Sequence, residues 1–300
     1  MDVNLIDLVE EYKGDENKCR AYLERYRWPE GKKCPRCGSS KTSRAIKDGH
    51  NYNCDVCRYQ FTVTAGTIFH DSHLPIWKWF LAVYLMAESK KGMSANQLKR
   101  TLKVSYKTAW YLCHRIRKAM QEATQKPKLN GIVEVDETYI GGKYDPRRKR
   151  EPHDKQAVIG LLQRKGKFEA KTIPTNGARI LVGIIQDRVD KTATVMTDEY
   201  QAYNRINKEY KHESVKHSAE EWARGNVYTN GVESAWSLFN RSIVGSYHQI
   251  SSKHMDAYLD EFEWRFNGRE NPSLFKDTMI RLLNSPKMEY KELITKAHSA

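Results

Sequence analysis

Four of the six cysteines fall into two close pairs, Cys34-x2-Cys37 and Cys54-x2-Cys57, with 16 residues between the pairs. Thiolates at this spacing form a recurrent zinc class. Two short knuckles can set four sulfurs tetrahedrally around one Zn²⁺, each at ~2.3 Å. Pro35 and Gly38 suit the tight turn of the first knuckle. Residues 43–52 carry no long apolar helical pattern and read as short strands, so the segment reads as a zinc ribbon. Two disulfides, or a redox pair, are the competing reading. The start, Met1-Asp2-Val3-Asn4, lacks the basic and apolar stretches of an export signal, and disulfides are rare in a reducing compartment. Four protein ligands leave no open coordination position, so this zinc is expected to be structural. Cys19 and Cys113 have no close partners and read as buried small hydrophobes.

Carboxylates form the second group with chemical potential. Residues 132–140 alternate as a strand, with Val133, Val135 and Tyr139 on one face and Glu134, Asp136 and Thr138 on the other. A half-buried strand seldom points two carboxylates the same way without a compensating cation. The ordinary alternative is an exposed strand with a solvated acidic face. Asp198 follows the β-branched strand at 193–197, where α/β folds often place active-site groups and where ordinary turn aspartates are equally at home. Glu233 sits on an expected helix, three residues after Asn230, which is also the spacing of a capping box.

Basic residues form the third. Residues 89–121 hold nine Lys or Arg and no Asp or Glu. Ser94 is placed to cap a helix to about residue 102, Lys103-Val104 makes a turn, and Ser105 is placed to cap a helix to about residue 120. Ala109, Leu112, Cys113, Ile116 and Met120 form the apolar stripe of that second helix. Lys107, Arg115 and Lys118 fall largely off the stripe and are the expected DNA contacts, as in a helix-turn-helix. A solvated helical hairpin with a basic face is the plainer reading.

These groups need elements to position them. Residues 4–26 read as one or two short helices, 75–88 as an aromatic-rich buried helix, and 158–162 and 168–173 as strands around Lys165-Gly166. A helix is expected at 180–189, a strand at 192–197, and helices at 231–244 and 253–266. This alternation is an α/β order with a parallel component. Between Lys143 and Lys155 lies a polar insertion containing Arg147 to Arg150. The length of 300 residues suits two or three domains. With 51 Lys plus Arg against 37 Asp plus Glu, the net charge is +14, and a polyanionic partner is expected. The longest apolar run, at 79–87, is far short of the ~18 residues of a membrane span.

As a set, Asp136, Asp198 and Glu233, with 61 and 34 residues between them, resemble the DDE transposase arrangement. The chain is most similar to insertion-sequence transposases of the ISXO-like group, which begin with a zinc ribbon. The resemblance rests on Cys34-Pro35-Arg36-Cys37-Gly38, on Val135-Asp136-Glu137-Thr138-Tyr139-Ile140-Gly141-Gly142-Lys143 and on Thr197-Asp198-Glu199-Tyr200. It rests further on the run from Thr229 to Leu238, with Glu233-Ser234-Ala235-Trp236-Ser237, and on Gly245-Ser246-Tyr247-His248. It covers roughly residues 15–270 and implies an RNase H-like catalytic domain at 129–270 (a mixed sheet flanked by helices). With the elements read above, the chain is expected to be multidomain α/β, with N-terminal helices at 1–28, a zinc ribbon at 29–64, a helix-turn-helix module at 74–122 and a C-terminal helical segment at 271–300. The resemblance carries Asp136, Asp198 and Glu233 over as ligands for catalytic Mg²⁺ or Mn²⁺, with Asn230 as the alternative third ligand. The implied activity is cleavage of insertion-sequence ends and strand transfer into target DNA, with no covalent protein–DNA bond. Where such proteins often carry a Lys seven residues after the helix carboxylate, this chain has Asn240, with Arg241 next to it as the expected phosphate contact. The leading alternative is a non-catalytic DNA-binding protein derived from a transposase; a structure-specific nuclease comes next, and a protein–protein zinc adaptor fits the charge and carboxylates least. Double-stranded DNA, a homo-oligomer on that DNA and a cytoplasmic, nucleoid-associated location complete the expectations.

Overall fold

The structure, a computed structural model, describes residues 4–44, 49–121, 126–141, 155–216, 219 and 223–295. The Arg147 to Arg150 insertion lies outside the described residues. The chain divides into two compact units: Met1–Ser89, Met93–Met120 and Glu270–Ala300 form one, and Lys90–Gly92 with Gln121–Arg269 form the other.

The first unit opens with α1 (Leu5–Tyr12) and α2 (Glu16–Arg27). Asn4 caps α1 and Asp15 caps α2 through their side-chain oxygens, satisfying N–H groups that a helix start leaves unpaired. Three short strands follow, β1 (Thr42–Arg44), β2 (Tyr52–Cys54) and β3 (Gln60–Phe61), in one antiparallel sheet. Arg27 ties the end of α2 to the chain leaving this sheet, donating to the carbonyls of Val63 at 2.5 Å and Ala65 at 2.7 Å. Then come α3 (Ile76–Ala87), α4 (Ala95–Leu102) and α5 (Tyr106–Met120), and the C-terminal α9 (Leu274–Asn284) and α10 (Tyr290–Ile294). The first turn of α3 is capped from a distance, because its N-cap is Pro75: the Glu16 carboxylate accepts from the N–H groups of Ile76 and Trp77. Phe275 of α9 packs against Tyr22, Phe80 and Tyr84.

The second unit holds β4 (Ile132–Ile140), β5 (Gln156–Gln163), β6 (Phe168–Ile173), α6 (Ala178–Arg188), β7 (Thr194–Thr197), β8 (Lys211–Ser214), α7 (Asn230–Ser242) and α8 (Met255–Asn267). Its five-stranded sheet has the order β6-β5-β4-β7-β8. The first three strands pair antiparallel and β7 and β8 join parallel, which is the RNase H-like arrangement. Each face buries its own core. Val133 and Val135 point with Ile159 and Leu161 toward α6, whereas Val158, Phe168, Val232, Trp236 and Phe262 fill the side covered by α7 and α8. The expected alternation of β4 therefore holds, because period-2 side chains must serve two different cores. The outer edge of β6 is closed by helix side chains: Asn267, Glu263 and Asp256 accept from the N–H groups of Phe168, Ala170 and Thr172. A strand edge capped in this way is no template for another strand. Strand β8 carried no sequence signal, since Lys-His-Glu-Ser lacks apolar alternation.

Candidate active site and zinc ribbon

The two knuckles have the same backbone geometry. Gly38 N–H donates to Cys34 O and Arg58 N–H to Cys54 O, both at 2.9 Å; Cys34 and Cys54 in turn donate to Ser39 O and Tyr59 O, also at 2.9 Å. Each loop closes through a left-handed residue, Gly38 at φ 73° and Arg58 at φ 59°. All four sulfurs lie within 4.8 Å of one another. Cys34 Sγ is 3.7 Å from Cys57 Sγ, and Cys37 Sγ is 3.5 Å from Cys54 Sγ. A zinc tetrahedron with ~2.3 Å bonds has edges of about 3.8 Å, so the sulfurs fit the ion. All six cysteines are free of disulfides, and Cys19 and Cys113 are fully buried.

In the second unit, strand register brings the first two acids together. The parallel ladder pairs Ile132 with Thr194 and Glu134 with Met196. The ladder ends short of both acids: Asp136 lies two residues beyond Glu134 on β4, Asp198 directly follows β7, and the two are near enough for Asp198 to act on the Asp136 carboxyl. Glu233 arrives from α7. It lines a cleft of ≈ 530 Å³ with Asp136 and Thr138 of β4 and with Trp236, Ser237, Asn240, Arg241 and Val244. Glu233, Trp236, Ser237, Asn240 and Arg241 repeat at helical spacing on α7, and Val244 follows its end, so one face of the helix looks over the strand.

Two glycines let α7 come this close. Gly160 of β5 is paired with Asp136, and a Cβ there would stand 2.4 Å from Cζ2 of Trp236. A Cβ on Gly231 would stand 2.7 Å from both Glu134 Oε2 and Leu162 Cδ2. The indole of Trp236 therefore lies on bare backbone, and Glu233, one turn earlier, is brought to the cleft.

The capping-box alternative for Glu233 is not realised. Helix α7 starts at Asn230 with Thr229 as N-cap and has no side-chain cap bond. Glu233 Oε1 accepts instead from the Thr229 hydroxyl at 2.7 Å. Asn230 is exposed and does not line the cleft.

The two carboxylates on the face of β4 that α7 covers have different fates. Glu134 has the compensating cation, with Arg164 Nε donating to it at 2.7 Å. Asp136 is left among like charges. Burial, then Glu137, Asp198 and Glu233, push its carboxyl up to about 7. A fourth acid, Glu137, was not singled out from sequence. It accepts a hydrogen bond from the Tyr203 hydroxyl, and burial, opposed by that bond, pushes it up to about 7. Its signal was legible: alternation puts Glu137 on the same side as Val133 and Val135, an apolar face where an acid is costly. The oxygens of Asp136, Asp198 and Glu233 are not all within 4.8 Å of one another; among the described residues only the four cysteines meet that spacing. As a donor set, hard carboxylate oxygens suit Mg²⁺, which keeps several waters and needs few carboxylates.

The chain matches the ISXO2-like transposase domain over residues 128–267 and the transposase zinc-ribbon domain over residues 14–60. An uncharacterized protein in transposable element ISH50 of Halobacterium salinarum is 30% identical over 272 residues, covering 83% of this chain and 90% of that protein. The chain belongs to the ISXO2-like transposase family. An uncharacterized transposase-like protein of Haemophilus influenzae is 30% identical over 107 residues, 35% of this chain and 85% of that one. Solved structures give distant likenesses. A simian T-cell lymphotropic virus intasome bound to PP2A regulatory subunit B56 gamma aligns at 13% identity and TM-score 0.32, covering 69% of this chain and 73% of that one. A pre-cleavage Mos1 transpososome aligns at 13% and 0.26, covering 70% and 79%.

In this family member the basic helices keep part of the expected surface. Helices α4 and α5 are joined by Lys103 to Ser105, with Lys103 left-handed at φ 52°. Ser94 and Ser105 accept from Gln97 N–H and Thr108 N–H. Of the nine cations in this run, seven are exposed, Lys107 and Lys118 among them; Arg115 and Arg117 are buried. Arg115 corrects the expectation of a DNA contact. Its guanidinium donates to the carbonyls of Ile68 and His70 and stacks on Trp79 at 4.8 Å and Tyr111 at 5.1 Å. It holds the chain before α3 in place. Arg241 is exposed and lines the cleft beside Asn240. Among the described residues, no helix is long and apolar enough to cross a membrane.

Proposed function

We propose that the chain is a DNA transposase that binds the ends of an insertion sequence, cleaves them and joins them to target DNA. The observation that carries this reading is the convergence of three acids from separate segments: Asp136 of β4 and Glu233 of α7 line one cleft, and Asp198, directly after β7, acts with Glu233 on the Asp136 carboxyl. Asp136, Asp198 and Glu233 would hold the ions. Mg²⁺ or Mn²⁺ bound there would activate the attacking oxygen and neutralise phosphate charge. Thr229 keeps Glu233 in its working rotamer through the 2.7 Å hydrogen bond. Arg241, in the same cleft, contacts the phosphodiester and supplies the charge that Asn240 lacks. The structural Zn²⁺ is held by Cys34, Cys37, Cys54 and Cys57, and the ribbon, with Lys107 and Lys118 of α5, engages duplex DNA. Two element ends must be held for joining, so the active species contains at least two protomers on DNA.

The test is cleavage of a duplex carrying terminal inverted repeats identified in the DNA beside this reading frame. With Mg²⁺, the wild-type chain should nick the end and transfer the freed 3′-hydroxyl to a target, whereas Asp136→Asn should bind the duplex and leave it intact. Binding without cleavage by the wild-type chain would instead mark a DNA-binding derivative of a transposase.

A further inference from the structure

We propose that Glu134 and Arg164 are a positioning pair that sets how far Glu233 reaches into the cleft; this rests on the active-site reading above. Glu134 shares a face of β4 with Asp136, yet both of its oxygens are committed. Oε1 takes Arg164 Nε at 2.7 Å, and Oε2 accepts the N–H of Val232 at 3.0 Å. Val232 immediately precedes Glu233, and its N–H is one of those that a helix start leaves without an intrahelical partner. The carboxylate two residues before Asp136 therefore holds the first turn of α7 by its backbone.

Arg164 fixes the other side of the same turn. NH1 donates to Asn226 O at 2.7 Å and NH2 to Tyr228 O at 2.8 Å, and the guanidinium lies 3.5 Å from the Tyr228 ring centroid. One planar fork thus joins β4, the segment entering α7 and, through Glu134, the helix itself, a geometry that a lysine cannot reproduce. Gly231 completes the device: any side chain would press on Glu134 Oε2 and Leu162 at 2.7 Å. Glu134 is 1% exposed and the Arg164 side chain 15%, so water does not substitute readily for either. Groups that orient a metal ligand in this way are worth about 10–100-fold in metal affinity.

The test must separate positioning from plain stability. The full-length protein provides a matched control in the same unit: Arg188 makes a two-pronged ion pair with Glu169, at 2.7 and 2.8 Å, remote from α7. Mn²⁺ binding, followed by electron paramagnetic resonance without DNA, would be measured for Arg164→Lys, Gly231→Ala, Arg188→Lys and Glu233→Gln, together with Tm and amide exchange at residues 230–234. Arg164→Lys and Gly231→Ala should each weaken Mn²⁺ binding about tenfold and speed exchange of the Val232 amide. Arg188→Lys should lower Tm with Mn²⁺ affinity unchanged. The proposal is overturned if Arg164→Lys behaves like Arg188→Lys, or, should Arg164→Lys fail to fold, if Gly231→Ala binds Mn²⁺ like the wild type. If Glu233→Gln binds Mn²⁺ normally, Glu233 is not a ligand; the active-site reading fails at that residue, and amide exchange still reports whether the pair holds the helix.

Discussion

Asp136 combines burial with three acidic neighbours, and this fixes how the unit responds to pH. Its carboxyl lies near 3.8 in an unfolded chain and is raised to about 7 when folded; Glu137 moves from 4.5 to about 7. A raised acid favours the folded state while protonated. That stability is fully present below pH ~4 and is lost as pH rises through ~7. The melting temperature of metal-free protein should therefore fall over this window, by less in Asp136→Asn. Mg²⁺ bound as proposed would favour the charged form and should restore stability most at the upper end, where thermal melts with and without the ion diverge. Glu233→Gln should leave folding nearly unchanged, since no capping box is lost, and reduce Mg²⁺-dependent strand cleavage by orders of magnitude. Near-normal cleavage would remove Glu233 from the site. Arg115 belongs to a different class. Arg115→Ala strands two carbonyls and should cost about 1–3 kcal/mol of stability, read by denaturant unfolding, with no change in the salt dependence of DNA binding.

At the scale of elements, backbone approach decides more than side-chain chemistry. Helix α7 reaches the sheet because Gly160 and Gly231 offer no Cβ. Gly160→Ala should displace Trp236 and carry Glu233 away from Asp136, and metal affinity should fall further than Tm does. In the ribbon, Gly38 has open space around a notional Cβ but a φ of 73°. Gly38→Ala therefore isolates backbone strain, about 1–2 kcal/mol, and should show as weaker zinc retention against a chelator. Much of this scale was legible beforehand. The β4 alternation, the β5–β6 turn at Lys165-Gly166 and both caps of α4 and α5 follow from period and turn chemistry. Strand β8 and the burial of Arg115 were not. The first has no apolar pattern, and the second depends on carbonyls of residues 68 and 70, which no local window contains.

For the whole molecule, charge and chain path make separate predictions. If six phosphates are neutralised, log K for duplex DNA should fall against log salt with a slope of about −5, and Lys107→Ala or Lys118→Ala should each reduce that slope by about 1. A flat salt dependence would make the basic run a solvated face. The chain also returns to its first unit at the end: Phe275, Met279, Leu282 and Leu283 of α9 are buried, and Phe275 packs on rings of α2 and α3. Ending the chain at residue 269 should abolish the melting transition of the first unit in calorimetry and spare that of the second.

Local chemistry was written in residue order. Cysteine spacing encodes a zinc site, since four thiolates on two short turns need little else from the fold. The order of Asp136, Asp198 and Glu233 with their flanking motifs encodes the family, and two-face alternation encodes the central strand. Tertiary structure alone decided which charges are available for chemistry. Glu134 and Asp136 share one face and one residue type's chemistry, yet Arg164, distant in sequence, neutralises the first and leaves the second. Arg115 and Lys118 lie on one basic helix, yet backbone carbonyls claim the first. Whether a charge is spent in folding or kept for a ligand depends on partners that meet it only when distant segments pack, and sequence spacing does not report that meeting.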